Sequence, residues 1–172
     1  MTALTALLAL AAATTPVVPA APSAIIALPL NPVVPASQRA CATRTASGLG
    51  YSVLRAGTGG KPGATDFVLI NYIGYLAASG ATFDQAMSTP MTVDGVIPGF
   101  GEGLALMPAG SIYRICVPAA LGYGAVANGP IPASSDLVFQ VELLDFRSKA
   151  EVEASRASAV DAPPPPAPTP PK

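Results

Sequence analysis

The sequence predicts an α+β domain in which a curled sheet of several antiparallel strands wraps one short helix. Three observations carry this. Period-two apolar alternation recurs at Leu49-Tyr51-Val53, along 66–76 and at Tyr113-Ile115-Val117 and Leu137-Phe139-Val141-Leu143. Only one stretch, Gly99 to Met107, repeats apolar residues at helical spacing, through Phe100, Leu104 and Met107. Strands and helix follow one another without the alternating strand–helix order of a parallel sheet.

Each element has a local reason. Residues 66–76 form the longest β-rich run, with Val68, Ile70 and Tyr72 on one face. Ser79-Gly80 supplies a turn, and Thr82-Phe83-Asp84 begins the return strand. Met91 to Val93 reads as a brief strand leading into Gly95-Val96-Ile97-Pro98-Gly99-Phe100. Pro98 fits a first helical turn, and Pro108-Ala109-Gly110 stops the helix. Inside the stretch that opens at Gly99, Gly101 and Gly103 cost about 1 kcal/mol each relative to alanine, so packing must hold it. In the next strand Tyr113, Ile115 and Val117 face inward, and Ile112, Arg114 and Cys116 take the outer side. Residues 118–135 form a long connection with three prolines and three glycines, a candidate wall for a site. The last strand covers 136–146, with Gln140 and Glu142 opposite its apolar face.

Composition narrows the function classes. Histidine is absent from all 172 residues, which excludes most familiar acid–base and metal chemistry. Nine basic and ten acidic side chains are scattered without a basic stripe, so nucleic acid is not an expected partner. Residues 16–35 carry six prolines and 161–172 are nearly all Pro and Ala, so both are expected to be extended and unpacked. The apolar block Ala3–Ala13 is too short to span a membrane and has the length of a signal-peptide core, although no Lys or Arg precedes Arg39. The expected division is a signal peptide over 1–21, an extension over 22–45, a folded domain over 46–148 and a tail over 149–172, disordered from 161. Export to the periplasm is the expectation, with cytoplasmic residence following if the N-terminus is no signal. Cys41 and Cys116 are either a disulfide, in an oxidising compartment, or two unrelated small residues.

Residues 46–147 resemble an FKBP-type peptidyl-prolyl cis-trans isomerase domain. The matching pieces are Asn71-Tyr72-Ile73-Gly74, Thr82-Phe83-Asp84, Gly95-Val96-Ile97-Pro98-Gly99-Phe100, Gly103-Leu104-Ala105-Leu106-Met107, Leu121-Gly122-Tyr123-Gly124, Ile131-Pro132 and Leu137 to Leu144. The resemblance implies a half-wrapped five- or six-stranded antiparallel sheet around one short helix, with a proline pocket between helix, sheet and long loop, and with neither metal nor cofactor. It also implies catalytic roles for Tyr72, Asp84, Ile97 and Tyr123, through the Ile97 backbone N–H and the Tyr123 hydroxyl. Phe83, Met91, Val96, Phe100, Ile131 and Phe139 would bind substrate, with Phe100 as the floor. Trp is usual at that floor position and an aromatic is frequent at Met91; no Arg follows Asp84 in the adjoining loop. The implied partners are proline-containing polypeptides and macrolide inhibitors, the implied state a monomer without a membrane span.

Isomerisation suits such residues. Turning an X-Pro bond meets a barrier of about 18–20 kcal/mol but makes no covalent bond, so neither nucleophile nor base is needed. A planar amide is more dipolar than its twisted form, and a dry aromatic pocket disfavours the planar form more. The alternative is a non-catalytic binding or chaperone module that keeps the pocket to hold proline-bearing chains, motivated by the departures at Met91 and Phe100 and by the tail Pro163 to Pro171; each phenylalanine taken alone also reads as core.

Overall fold

A computed structural model describes residues 25–26 and 33–160 of the chain. The expected signal segment and the tail from 161 lie outside the described residues. Six strands form one antiparallel sheet: β1 (Thr43–Arg44), β2 (Gly50–Arg55), β3 (Phe67–Leu76), β4 (Thr82–Thr92), β5 (Ile112–Val117) and β6 (Leu137–Arg147). Their order across the sheet is β1-β2-β5-β6-β3-β4, so the two long strands β3 and β6 pair near its middle, from Phe67–Arg147 to Leu76–Leu137. Met91 and Thr92 end β4 rather than forming a strand of their own, and Val93–Gly95 makes a single tight turn into helix α1 (Pro98–Leu106).

The alternation read from the sequence sets the two faces. Val68, Ile70 and Tyr72 of β3, Tyr113, Ile115 and Val117 of β5, and Leu137, Phe139, Val141 and Leu143 of β6 pack with Phe100, Leu104 and Met107 into one core. Burying such side chains contributes about 1.5–3 kcal/mol each, which offsets the poor intrinsic propensity of a glycine-rich helix. Gly103 serves the approach of helix to sheet, since a Cβ there would lie 2.5 Å from Ile115 Cδ1.

The outer face of the sheet departs from expectation. Within the proline-rich N-terminal stretch, expected to stay unpacked, Ile26 and Val34 are buried against Ile73, Tyr75 and Val138 in a second apolar cluster. The prolines do not prevent this, because the described residues find specific partners. Ile26 donates its N–H to Gln140 Oε1 (2.7 Å) and accepts from Gln140 Nε2 (2.8 Å). Val34 donates to the Gly80 carbonyl at 2.8 Å, and the Arg39 guanidinium donates to the carbonyls of Val34 and Ala78. Cys41 and Cys116 are joined in a disulfide, which fastens this strap to β5.

The segment 149–160, expected as tail, begins as helix α2 (Lys149–Val160). Ser148 and Glu151 form a capping box: the Ser148 N–H donates to the Glu151 carboxylate (2.8 Å) and the Glu151 N–H to Ser148 Oγ (3.2 Å). The Ser148 hydrogen bonds also hold the Glu151 carboxyl below its ordinary range.

Tyr75 is fully buried under the strap, and its hydroxyl donates to the Gln38 carbonyl at 2.7 Å. Burial pushes its pKa up to about 12, with Arg114 and Arg39 pulling the other way. The unfolded phenol titrates near 10, so the folded state holds its proton more tightly. This contribution is complete below pH 10 and is lost as pH rises through 12, a fall of roughly 2–3 kcal/mol. Urea denaturation at pH 9 and pH 12 is expected to show that fall, and Tyr75→Phe to reduce it.

Candidate active site

An open cleft of 460 Å³ lies between β3, β4, α1 and the long loop. Of the ten residues proposed from sequence, nine line it: Tyr72, Phe83, Asp84, Met91, Val96, Ile97, Phe100, Tyr123 and Phe139. Ile131 does not; it is buried in the core and bridges to Asn128 across the tip of the long loop. Gly95 also lines the cleft.

Phe83 and Asp84 are adjacent in sequence and both line the cleft, which a regular strand forbids because successive side chains point to opposite faces. The pairing of β4 with β3 slips here: Asp84 faces Gly74, but Thr82 faces Tyr75, leaving Phe83 as an extra residue. Such a bulge bends a strand and re-aims its side chains. Gly74 makes the space, since a Cβ there would sit 2.6 Å from Phe83 Cε2 and 2.9 Å from Phe139 Cε1. No motif in the sequence reading singled out Gly74 for this task, although it stands in the stretch that carried the family resemblance.

The walls are mostly aromatic. Phe100 lies 4.6 Å from Phe139 and 6.1 Å from Tyr72 between ring centroids, and Phe83 meets Phe139 edge-on at 5.6 Å. Offset and edge-on contacts suit the ring quadrupoles and fix the cage without filling it. The Tyr72 hydroxyl donates to Asp84 Oδ2 at 2.5 Å. Burial, and then the Asp84 hydrogen bond and charge, hold the Tyr72 phenol well above the usual tyrosine range, so it remains a donor at neutral pH. The Ile97 carbonyl accepts from Phe100 and Gly101 in the first turn of α1, whereas its N–H donates to no protein acceptor among the described residues. Tyr123 is 38 % exposed at the rim. Among the described residues no group of His, Cys, Asp and Glu is arranged to hold a metal.

The family model for FKBP-type peptidyl-prolyl cis-trans isomerase matches residues 59–144, a segment that contains every residue lining the cleft. The chain belongs to the FKBP-type peptidyl-prolyl cis-trans isomerase family. Within it, the chain is 46% identical over 110 residues to the FKBP-type isomerase FkpA of Aeromonas hydrophila, covering 62% of this chain and 41% of that protein. It is 43% identical over 109 residues to the outer membrane protein MIP of Legionella longbeachae, covering 60% of this chain and 46% of that one. The chain thus spans less than half the length of these two curated relatives. The crystal structure of FkpA from Escherichia coli superposes with a TM-score of 0.59 at 38% identity, over 62% of this chain and 51% of that one. A peptidyl-prolyl isomerase from Pseudomonas syringae pv. tomato gives 0.59 at 34% identity, over 62% and 80%. The matched FKBP-type segment does not include the strap, Cys41 or α2.

Proposed function

We propose that this chain accelerates the cis–trans rotation of X-Pro bonds in polypeptides, by non-covalent catalysis in the aromatic cleft. The observation that carries the reading is a cage of Tyr72, Phe83, Phe100 and Phe139 with the uncommitted Ile97 N–H at its edge. A proline ring seated on Phe100 leaves water behind, which disfavours the dipolar planar amide relative to the twisted one. Donors that meet the substrate carbonyls only in the twisted geometry lower the barrier, and the Ile97 N–H and Tyr123 hydroxyl have this role. Asp84, accepting the Tyr72 hydroxyl, is fixed in place at the wall. Val96 and Met91 complete the apolar contact.

A refolding or protease-coupled assay on an X-Pro peptide tests the reading. Wild type is expected to exceed the uncatalysed rate, and Tyr123→Phe to lower kcat/KM about tenfold, the worth of one hydrogen bond of about 1.4 kcal/mol. A wild-type rate equal to the uncatalysed one rejects catalysis.

The same cleft is the place where macrolide inhibitors would compete, and the working unit is a monomer; competition and sedimentation measurements address these two points. Residence in the periplasm is supported by the Cys41–Cys116 disulfide, which needs an oxidising compartment, and by the outer membrane protein among the relatives. Fractionation with N-terminal sequencing of the mature chain tests it.

A further inference from the structure

Strand β4 supplies Phe83, Asp84 and Met91 to the cleft, and Met91 arrives there by a second irregularity. Ala86 pairs with Tyr72 and Thr89 with Ile70, so Met87 and Ser88 together oppose the single residue Asn71. Ala86 packs against the core on the α1 side of the sheet. With unbroken alternation from Ala86, Ser88 and Pro90 would follow it inward and Met91 would point to the outer face. The extra residue reverses the phase. Thr89 and Met91 now stand opposite Ile70 and Val68 on the inner side, and Met91 becomes a wall of the cleft.

The bulge needs holding, because Ser88 sits at φ 48°, a left-handed conformation that a residue with a Cβ adopts unwillingly. The Ser88 N–H donates to Asn71 Oδ1 at 2.8 Å. Asn71 Nδ2 in turn donates to Glu142 Oε2 at 2.8 Å, and Arg55 Nη2 donates to Glu142 Oε1 at 2.6 Å. This line runs across the outer face from β4 through β3 and β6 to β2, and none of its four residues lines the cleft. Because Glu142 is tied to Arg55, the Asn71 amide is fixed with its oxygen toward Ser88.

We infer that Asn71, oriented by Glu142 and Arg55, is a positioning residue for the pocket: it holds the β4 bulge that turns Met91 toward the bound proline. This rests on the isomerase reading of the cleft for its consequence in KM, but the placement of Met91 can be read without it. Met91 touches the ring in planar and twisted substrate alike, so its loss weakens binding without touching the barrier.

The experiment uses the full chain with methyl-labelled methionine. Asn71→Leu is expected to raise KM for an X-Pro peptide about tenfold with kcat within twofold, and to abolish the nuclear Overhauser contacts of the Met91 methyl with the aromatic rings of the cleft. Asn71→Asp places two carboxylates together and is expected to behave like Asn71→Leu. Adding Glu142→Gln to Asn71→Asp restores an amide–carboxylate pair in the opposite sense, with an acceptor still offered to Ser88. The double variant is expected to return to within twofold of wild type in KM and to recover the methyl contacts. The inference is overturned if Asn71→Leu keeps those contacts and an unchanged KM, or if the double variant folds but recovers neither. Should wild type show no isomerase activity, the methyl contacts in the free protein still decide whether Asn71 sets the wall.

Discussion

Truncating Phe100 to alanine is expected to lower kcat/KM for an X-Pro peptide about a hundredfold, a loss of about 2.7 kcal/mol in transition-state stabilisation. Phe100 is 4 % exposed, and its ring contacts both Phe139 and Tyr72. On the proposed reading, removing it takes away the surface under the proline ring and lets water into a cleft whose catalysis depends on excluding it. The same change removes core contacts, since Phe100 packs in the main cluster, and costs about 3–5 kcal/mol of stability. Phe100→Leu separates the two effects. It keeps most of the apolar volume, so its melting temperature is expected to stay near wild type while kcat/KM falls about tenfold. Coupled-assay kinetics beside thermal melts check both, and a folded Phe100→Ala with wild-type kcat/KM would remove Phe100 from the floor.

Breaking the Cys41–Cys116 bond is expected to have a large effect on stability. The two cysteines are 75 residues apart, so the bond closes a long loop in the unfolded chain and contributes about 4 kcal/mol on the loop-entropy account. For a domain of this size that corresponds to a fall of roughly 10 °C in melting temperature. Either reductant or the pair Cys41→Ser and Cys116→Ser should produce it. Hydrogen exchange adds a spatial test. The amides of Ile26 and Val34, bonded to Gln140 and Gly80, should lose protection before those of β3 and β6. An unchanged melting temperature would show that the strap is held by its apolar and polar contacts alone.

What could be read from the sequence, and what could not, follows the range of the forces involved. The alternation at Tyr113-Ile115-Val117 and Leu137 to Leu143 is local and placed those side chains on the inner face, where they lie. Pro98 likewise marks the start of α1. The cleft residues were legible because the family pattern names positions, not because their periodicity does. Phe83 and Asp84 show the difference: period two would send them to opposite faces, and only pairing with Gly74 and Tyr75 on another strand creates the bulge. Ile131 was grouped with the cleft by its place in a motif, yet its burial depends on how the long loop folds back. The strap was missed because proline content says that a segment forms no helix, and says nothing about whether Ile26 and Val34 find an apolar face. The cysteine pairing stayed open because spacing does not determine connectivity. Helix α2 was readable and overlooked: Ser148 with Glu151 three residues on is an N-terminal signature, followed by Ala, Glu and Arg.

Strand β4 is also an outer edge of the sheet, and under the proposed isomerase activity its irregularities bear on what such a protein must avoid when it meets unfolded chains. An exposed edge offers unpaired N–H and C=O groups to any extended polypeptide, which can add to it as a further strand and remain there. Pro90 lacks one such donor, and the breaks at Phe83 and Met87-Ser88 divide the edge into pieces too short and too bent to template a ladder. Under that proposal, a proline-bearing client is met by side chains in a cleft, from which it can leave after each rotation, instead of by a backbone edge that would keep it.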